Sequence, residues 1–222
     1  MLLFMILFCI NFHPSLHQTF FYDYQEGDDK YVVDWEICKT DSNYIFVQSH
    51  SSKYVLSHTV ECDSTFDTLT WEYEYNVTDT HYKGIRTGNI VNFKGVLEGE
   101  KVERTVALDP LPWMQFLGFS LARFAAMDIE KIKFNCIRPE NLKQYVMVAK
   151  NQGKETIEIN GIEYQTVRIH VTLNGLLSYL GGVTFWFRTS DQAFVKFEGL
   201  SLPWTSKIIY EIIDTSHILS GN

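Results

Sequence analysis

A chain of 222 residues with 45% hydrophobic and 15% aromatic content can bury a full core, which excludes a disordered polymer. The formal net charge is −8 and the 19 Lys and Arg residues are scattered. Nucleic acid and anionic membrane surfaces need clustered cations, so neither is an expected partner.

The first ten residues, Met1 to Ile10, read MLLFMILFCI. The run is too short for the ~20 residues of a transmembrane helix but fits the apolar region of a secretory signal. Residues 1–18 are therefore read as a signal-like leader, which implies export to the cell envelope. A buried first strand, or a start placed inside a longer reading frame, remains the alternative. No Lys or Arg precedes the run, and Cys9 lacks the small-residue context of a lipoprotein cleavage site. Residues 19–222 show no linker, repeat or low-complexity stretch and are read as a single antiparallel β-domain.

Short alternating runs then follow one another. Lys30 to Cys38 and Tyr44 to His50 are separated by the turn residues Thr40-Asp41-Ser42-Asn43, and Tyr54 to Val60 comes next. The clearest strand is Asp67 to Val77. It sets Leu69, Trp71, Tyr73, Tyr75 and Val77 on an apolar face against Thr68, Thr70, Glu72, Glu74 and Asn76. Asn76-Val77-Thr78 also fits the glycosylation acceptor pattern. Thr87-Gly88-Asn89 and Glu98-Gly99 mark turns around Ile90 to Val96 and before Lys101 to Leu108. Asn160-Gly161 suits a type I′ hairpin turn between Glu155–Ile159 and Ile162–Leu173. Val183 to Arg188, Ala193 to Glu198 and Ser206 to Ile213 complete the strands, with Thr189 to Gln192 as the last hairpin turn.

One segment breaks the pattern. Asp109 suits a helix N-cap and Pro110 a first helical turn, so a helix is expected from Asp109 to Met127. On a helical wheel Gln115, Ser120 and Arg123 share one arc narrower than half the circumference, and the rest is apolar. Such a helix needs cover from the sheet, a ligand or a partner. The expected fold is thus mainly β: a long curved antiparallel sheet or open β-barrel with an apolar helix at about 110–127.

Searches for chemistry return little. No nucleophile elbow, zinc-binding H-E-x-x-H, P-loop or dinucleotide fingerprint is present. Gly118-Phe119-Ser120-Leu121-Ala122 lacks the second glycine of an elbow. The seven histidines are dispersed; His50 and His58 flank a turn and read as solvated. Cys9, Cys38, Cys62 and Cys136 have no metal-ligand spacing, and a Cys38–Cys62 bridge stands against the reading of buried small apolar groups. No cofactor or metal is expected. Two strands are less ordinary. Tyr164, Thr166, Arg168 and His170 share one face, and Trp186 and Arg188 alternate with Phe185 and Phe187. Facing a concavity, Arg168, Arg188, His170 and Trp186 suit an anionic or amphipathic ligand; facing outward, they form a solvated sheet surface.

The stretch Phe185-Trp186-Phe187-Arg188-Thr189-Ser190-Asp191, followed by Val195-Lys196-Phe197-Glu198-Gly199, forms a distinctive ending. With Arg86-Thr87-Gly88-Asn89, Pro112-Trp113-Met114-Gln115 and Ile137-Arg138-Pro139-Glu140, it resembles uncharacterised bacterial β-proteins that carry a domain of unknown function. These are similar to the open β-barrels of lipoprotein-localisation carriers (LolA/LolB-like), and the resemblance spans Phe20 to Ile213. It implies a sheet curled around a helix, leaving an apolar concavity for acyl chains. Trp113, Phe116, Leu117 and Phe124 would form its helix side and Trp71 and Trp186 its sheet side, and no catalytic residue is implied.

The residues therefore favour a binding protein for a lipid or other apolar ligand, with Trp71, Trp113, Phe116, Leu117, Phe124, Arg168, Trp186 and Arg188 as its site. An assembly module meeting a protein partner through the apolar helix or a sheet edge is the alternative, and an unrecognised hydrolase the second.

Overall fold

The computed structural model describes residues 16–39, 45–175, 178, 181–200 and 207–213. Turn chemistry sets many strand limits. Asn160 (φ 52°) and Gly161 (φ 81°) supply the two positive φ angles of the expected I′ turn, and Glu98 (φ 52°) and Gly99 (φ 80°) do the same earlier. Strands emerge on both sides of each turn because alternating apolar residues then fall on one buried face.

The first eight strands are β1 (Leu16–Glu26), β2 (Asp29–Lys39), β3 (Ile45–Ser51), β4 (Leu56–Cys62), β5 (Thr68–Tyr75), β6 (Thr80–Thr87), β7 (Ile90–Leu97) and β8 (Glu100–Ala107). A single helix, α1 (Leu117–Ala125), follows. Six more strands complete the described chain: β9 (Lys131–Ile137), β10 (Gln144–Ile159), β11 (Ile162–Leu173), β12 (Gly182–Arg188), β13 (Phe194–Leu200) and β14 (Lys207–Ile212). They form one 14-stranded antiparallel sheet in the order β8-β7-β6-β5-β4-β3-β2-β1-β14-β13-β12-β11-β10-β9. Every neighbour is a neighbour in sequence except β1 and β14, which pair from Tyr22↔Ile212 to Glu26↔Ile208. The sheet is therefore two meanders joined at β1–β14, with β8 and β9 as its edges. The connection from β8 to β9 crosses the concave side and carries α1.

Several sequence expectations change here. The helix covers only the second half of Asp109–Met127; its N-cap is Phe116, with no side-chain cap, and residues 108–116 are irregular. In β5 a register shift between Glu61 and Cys62 pairs Cys62 with Thr68, so Thr68 is fully buried instead of solvated. Val77 ends the expected apolar face but lies in an exposed 3₁₀ turn, Asn76–Thr78. The leader residues 1–15 and the turn at 40–43 lie outside the described residues, and β1 begins at Leu16. Strands β9 and the first half of β10 were not expected from the sequence.

The core lies on the concave face. Trp71 packs edge-on against Tyr82 and Phe93 at ring distances of 5.2 and 6.0 Å. Gly84 makes room for this cluster: a Cβ there would sit 2.4 Å from the Phe93 ring. Cys38 and Cys62 are not bridged, and burial pushes the Cys62 thiol up to about 12.

Candidate functional site

The crossover closes one part of the concave side with polar bonds. Asn135 of β9 is fully buried, and its Nδ2 donates to the carbonyls of Asp109 (3.0 Å) and Leu111 (2.8 Å). Its Oδ1 accepts from Asp109 N and, at 2.6 Å, from Gln144 Nε2. Trp113 N donates to Asp67 Oδ1, and Trp113 O accepts from Thr68 N, both at 2.7 Å. Gln115 accepts from Trp113 Nε1 and Ile137 N and donates to the Ile137 carbonyl at 2.7 Å. Asp67 also holds the Arg86 guanidinium. An irregular backbone can be buried only when its N–H and C=O groups find partners, and these side chains are the partners.

The gap between the sheet edges is bridged as well. Tyr82 Oη donates to Pro139 O at 3.1 Å, and Arg104 of β8 donates to Asn141 O. Edge strand β8 carries Glu100, Lys101, Glu103 and Arg104, charges that oppose pairing with another sheet.

Helix α1 behaves differently. It packs on β11, β12 and β13, and space remains towards the other meander. Trp35 of β2 stacks on Phe194 of β13 (4.8 Å, 11°) and meets Phe116 edge-on at 4.6 Å. Gly118 faces this stack so closely that a Cβ there would lie 2.3 Å from the Trp35 ring. On one side of the Trp35–Gly118–Phe194 contact is a cavity of about 220 Å³, whose walls include Val33, His58, Phe116, Leu117, Phe185 and Tyr210. On the other side is one of about 480 Å³, walled by Phe20, Tyr22, Ile37, Phe66, Phe119 and Ala122. The larger volume falls within the roughly 300–1,000 Å³ usual for small-molecule sites.

Polar groups in the smaller cavity are few: Ser49, Ser51, His58 and Gln115 join the apolar walls, with no carboxylate among its described residues. Burial pushes His58 down to about 4, so its imidazole is neutral near pH 7. Burial likewise raises the Cys136 thiol to about 12, which leaves it a poor nucleophile. Among the described residues no group of three His, Cys, Asp or Glu could hold a metal ion.

The structure divides the sequence candidates into four groups. Phe116 and Leu117 line the smaller cavity. Trp71, Trp113 and Phe124 are in closed core, exposed by 2% or less, and line neither cavity. Arg168 and Trp186, paired across β11 and β12, are on the convex face, because Phe185, next to Trp186, and its partner Phe197 wall the cavity beside the helix. Trp186 is covered there by Arg168 and Lys196 at 5.7 and 5.9 Å, and its Nε1 donates to Glu155 at 2.6 Å. His170 shares that outer face and bonds to Thr184 Oγ1 at 3.1 Å. Arg188 clamps Asp191 in the β12–β13 turn with bonds of 2.9 and 2.6 Å. Arg168, His170 and Trp186 thus share the face turned away from the helix, with Trp186 itself buried there. Sequence reasoning missed Trp35, Phe194 and Gly118; the one available signal was a glycine inside an apolar helical run.

Part of the apolar arc of α1 is covered: Leu121 and Phe124 are buried and line neither cavity, whereas Leu117 and Phe119 wall the cavities. At nine residues, α1 is too short to cross a membrane, and no other described helix is long and apolar enough to do so.

No protein-family model matches the sequence, and neither does any curated protein. Among solved structures, a β-barrel-like protein of domain of unknown function DUF1849 from Brucella abortus superposes with a TM-score of 0.63 at 6% identity. The match covers 90% of this chain and 97% of that one. The hypothetical lipoprotein YmcC from Escherichia coli (K12) gives a TM-score of 0.43 at 10% identity, over 90% and 86% of the two chains. The chain therefore has the fold of an uncharacterised bacterial β-barrel-like protein, in line with the resemblance carried by its motifs.

Proposed function

We propose that the protein is a binding protein for a lipid or other apolar small molecule, held between α1 and the concave face of the sheet. The observation that carries this reading is the pair of aromatic-walled cavities on either side of the Trp35–Gly118–Phe194 contact. Protein interiors are ordinarily filled to crystal-like density, so apolar space of this size beside a helix is unusual for a closed core. The chemistry of the walls supports an apolar occupant: rings and aliphatic groups supply area, and few polar groups need partners.

Native mass spectrometry of gently purified protein is the test. Extra mass that organic solvent extracts, and saturable uptake of a fluorescent fatty acid, are the expected results. A bare polypeptide mass together with no uptake would overturn the reading.

A further inference from the structure

The smaller cavity has a polar patch whose position follows from strand register. Ser49 of β3 pairs directly with His58 of β4, and Ser51 follows on the same face of β3. Opposed residues of antiparallel strands hold their Cβ atoms about 4.5–5.5 Å apart, so Ser49 and His58 meet on the cavity wall. Aromatic groups surround them: the Tyr73 and Phe116 rings are 4.6 and 6.3 Å from the imidazole. None of the residues that wall this cavity is exposed.

Part of the bonding capacity of the patch is unused. Ser51 Oγ accepts from Lys53 N and Tyr54 N at 3.2 and 3.3 Å, and Gln115 is engaged by Trp113 and Ile137. Ser49 Oγ and both ring nitrogens of His58 have no hydrogen-bond partner among the described residues. Burial is the sole cause of the lowered His58 value, with no contribution from a neighbouring charge or bond. Buried polar groups are nearly always bonded, and a set left open by the protein is completed by a water or a ligand.

The wall also restricts what can complete it. No Lys, Arg, Asp or Glu is among its described residues. An ion there would lose hydration without gaining a counter-charge. A neutral imidazole and a serine hydroxyl both donate and accept, and a ligand hydroxyl does the same. A carbonyl only accepts, and would leave the acceptor nitrogen of the imidazole unmet. A dry cavity of about 150 Å³ can hold benzene, so one of about 220 Å³ suits a molecule of about two fused rings.

We infer that the smaller cavity takes a compact, uncharged apolar alcohol whose hydroxyl bonds to His58 and Ser49. The inference rests on the binding reading above and adds the size, charge and polar group of the occupant of one cavity.

Equilibrium dialysis of the full chain near pH 7 against 2-naphthol, naphthalene and 2-naphthoate is the test. Naphthol and naphthalene are expected to bind, and naphthoate to bind at least about tenfold more weakly than naphthol, because its charge would be buried unpaired. His58→Phe and, separately, Ser49→Ala should each lower the affinity for naphthol about fivefold, the net worth of one hydrogen bond, and change that for naphthalene by less than about twofold. Naphthol affinity unchanged in either variant, or an equal fall for naphthol and naphthalene, would overturn the inference and leave the binding reading standing. Naphthoate bound as tightly as naphthol would do the same. Binding of none of the three, with fatty acid still taken up, would also overturn the inference alone; loss of fatty acid uptake as well would overturn both. Should His58→Phe fail to fold, Ser49→Ala, which removes only a hydroxyl, decides the matter.

Discussion

Residues 108–116 and α1 are consecutive in sequence and similarly apolar, yet they solve burial in opposite ways. The first stretch has no regular hydrogen bonding of its own, so its backbone is tied to Asp67, Thr68 and Asn135 and the space around it is closed. The helix satisfies its backbone internally and needs only apolar cover. The helix packs on β11–β13, and its cover is incomplete towards β1 and β2, which wall the cavities with it. Polar stitching requires fixed geometry and leaves no slack, whereas dispersion contacts tolerate a gap at modest cost. In this protein, space for a ligand therefore occurs beside the regular element.

The strongest way to break this contrast is to unpick the stitched stretch. Asn135→Leu strands the Leu111 carbonyl, removes one of the two bonds to the Asp109 carbonyl and takes away the nearer acceptor of the Gln144 amide. The orphaned carbonyl costs about 1–3 kcal/mol and the other lost bonds add to it, so a loss of about 2–4 kcal/mol is expected in urea unfolding. A loss below about 1 kcal/mol would show that the stitching is not what holds the crossover.

A smaller effect is expected where the helix meets the sheet. By helix propensity alone, Gly118→Ala would stabilise the protein by up to about 1 kcal/mol. The new methyl, however, meets Trp35, which Phe116, Phe194 and Tyr22 hold in place. Overpacking of this kind costs about 1–3 kcal/mol, so the net effect is destabilising, with a change in tryptophan emission. Trp35→Leu in the same chain should recover part of the loss. A simple gain in stability from Gly118→Ala would mean that the contact between cavities is loose.

The smallest effect concerns pH. His58 has its folded value lowered to about 4 from an ordinary value of about 6.5. Between those values the unfolded chain binds the proton more readily than the folded one. Stability is thus complete above about pH 6.5 and lost progressively as the pH falls towards 4. His58→Phe should flatten that part of the profile, read by thermal unfolding at a series of pH values. An unchanged profile would remove His58 from the buried wall.

These two stretches also show what the sequence could and could not reveal. The Asn160-Gly161 and Glu98-Gly99 turns were legible because their conformations depend on two adjacent residues. Asp109 and Pro110 carried an equally clear local signal for a helix start, and it lost. The partners that satisfy this backbone come from β5 and β9, distant in sequence, and together they outweigh a single cap. In β11 and β12 the alternation of residues was readable, and it correctly separated Arg168 and Trp186 from Ile169 and Phe185. Alternation does not say which face is concave. That was decided by Phe185 and Phe194 meeting the helix, a tertiary fact with no local signature.

The pairing of β1 with β14 governs the order in which the molecule can be assembled. As the chain leaves the ribosome, β1 to β8 can form a meander from neighbouring hairpins, each closing a short loop. The outer edge of β1 has to wait for β14, nearly the whole described chain later. Contacts between such distant residues slow folding, and a strand edge left waiting is open to pairing with other chains. Expression slowed or stalled before β14 should accordingly yield aggregates seeded at β1, and supplying β14 early, by circular permutation that places it ahead of β1, should relieve them.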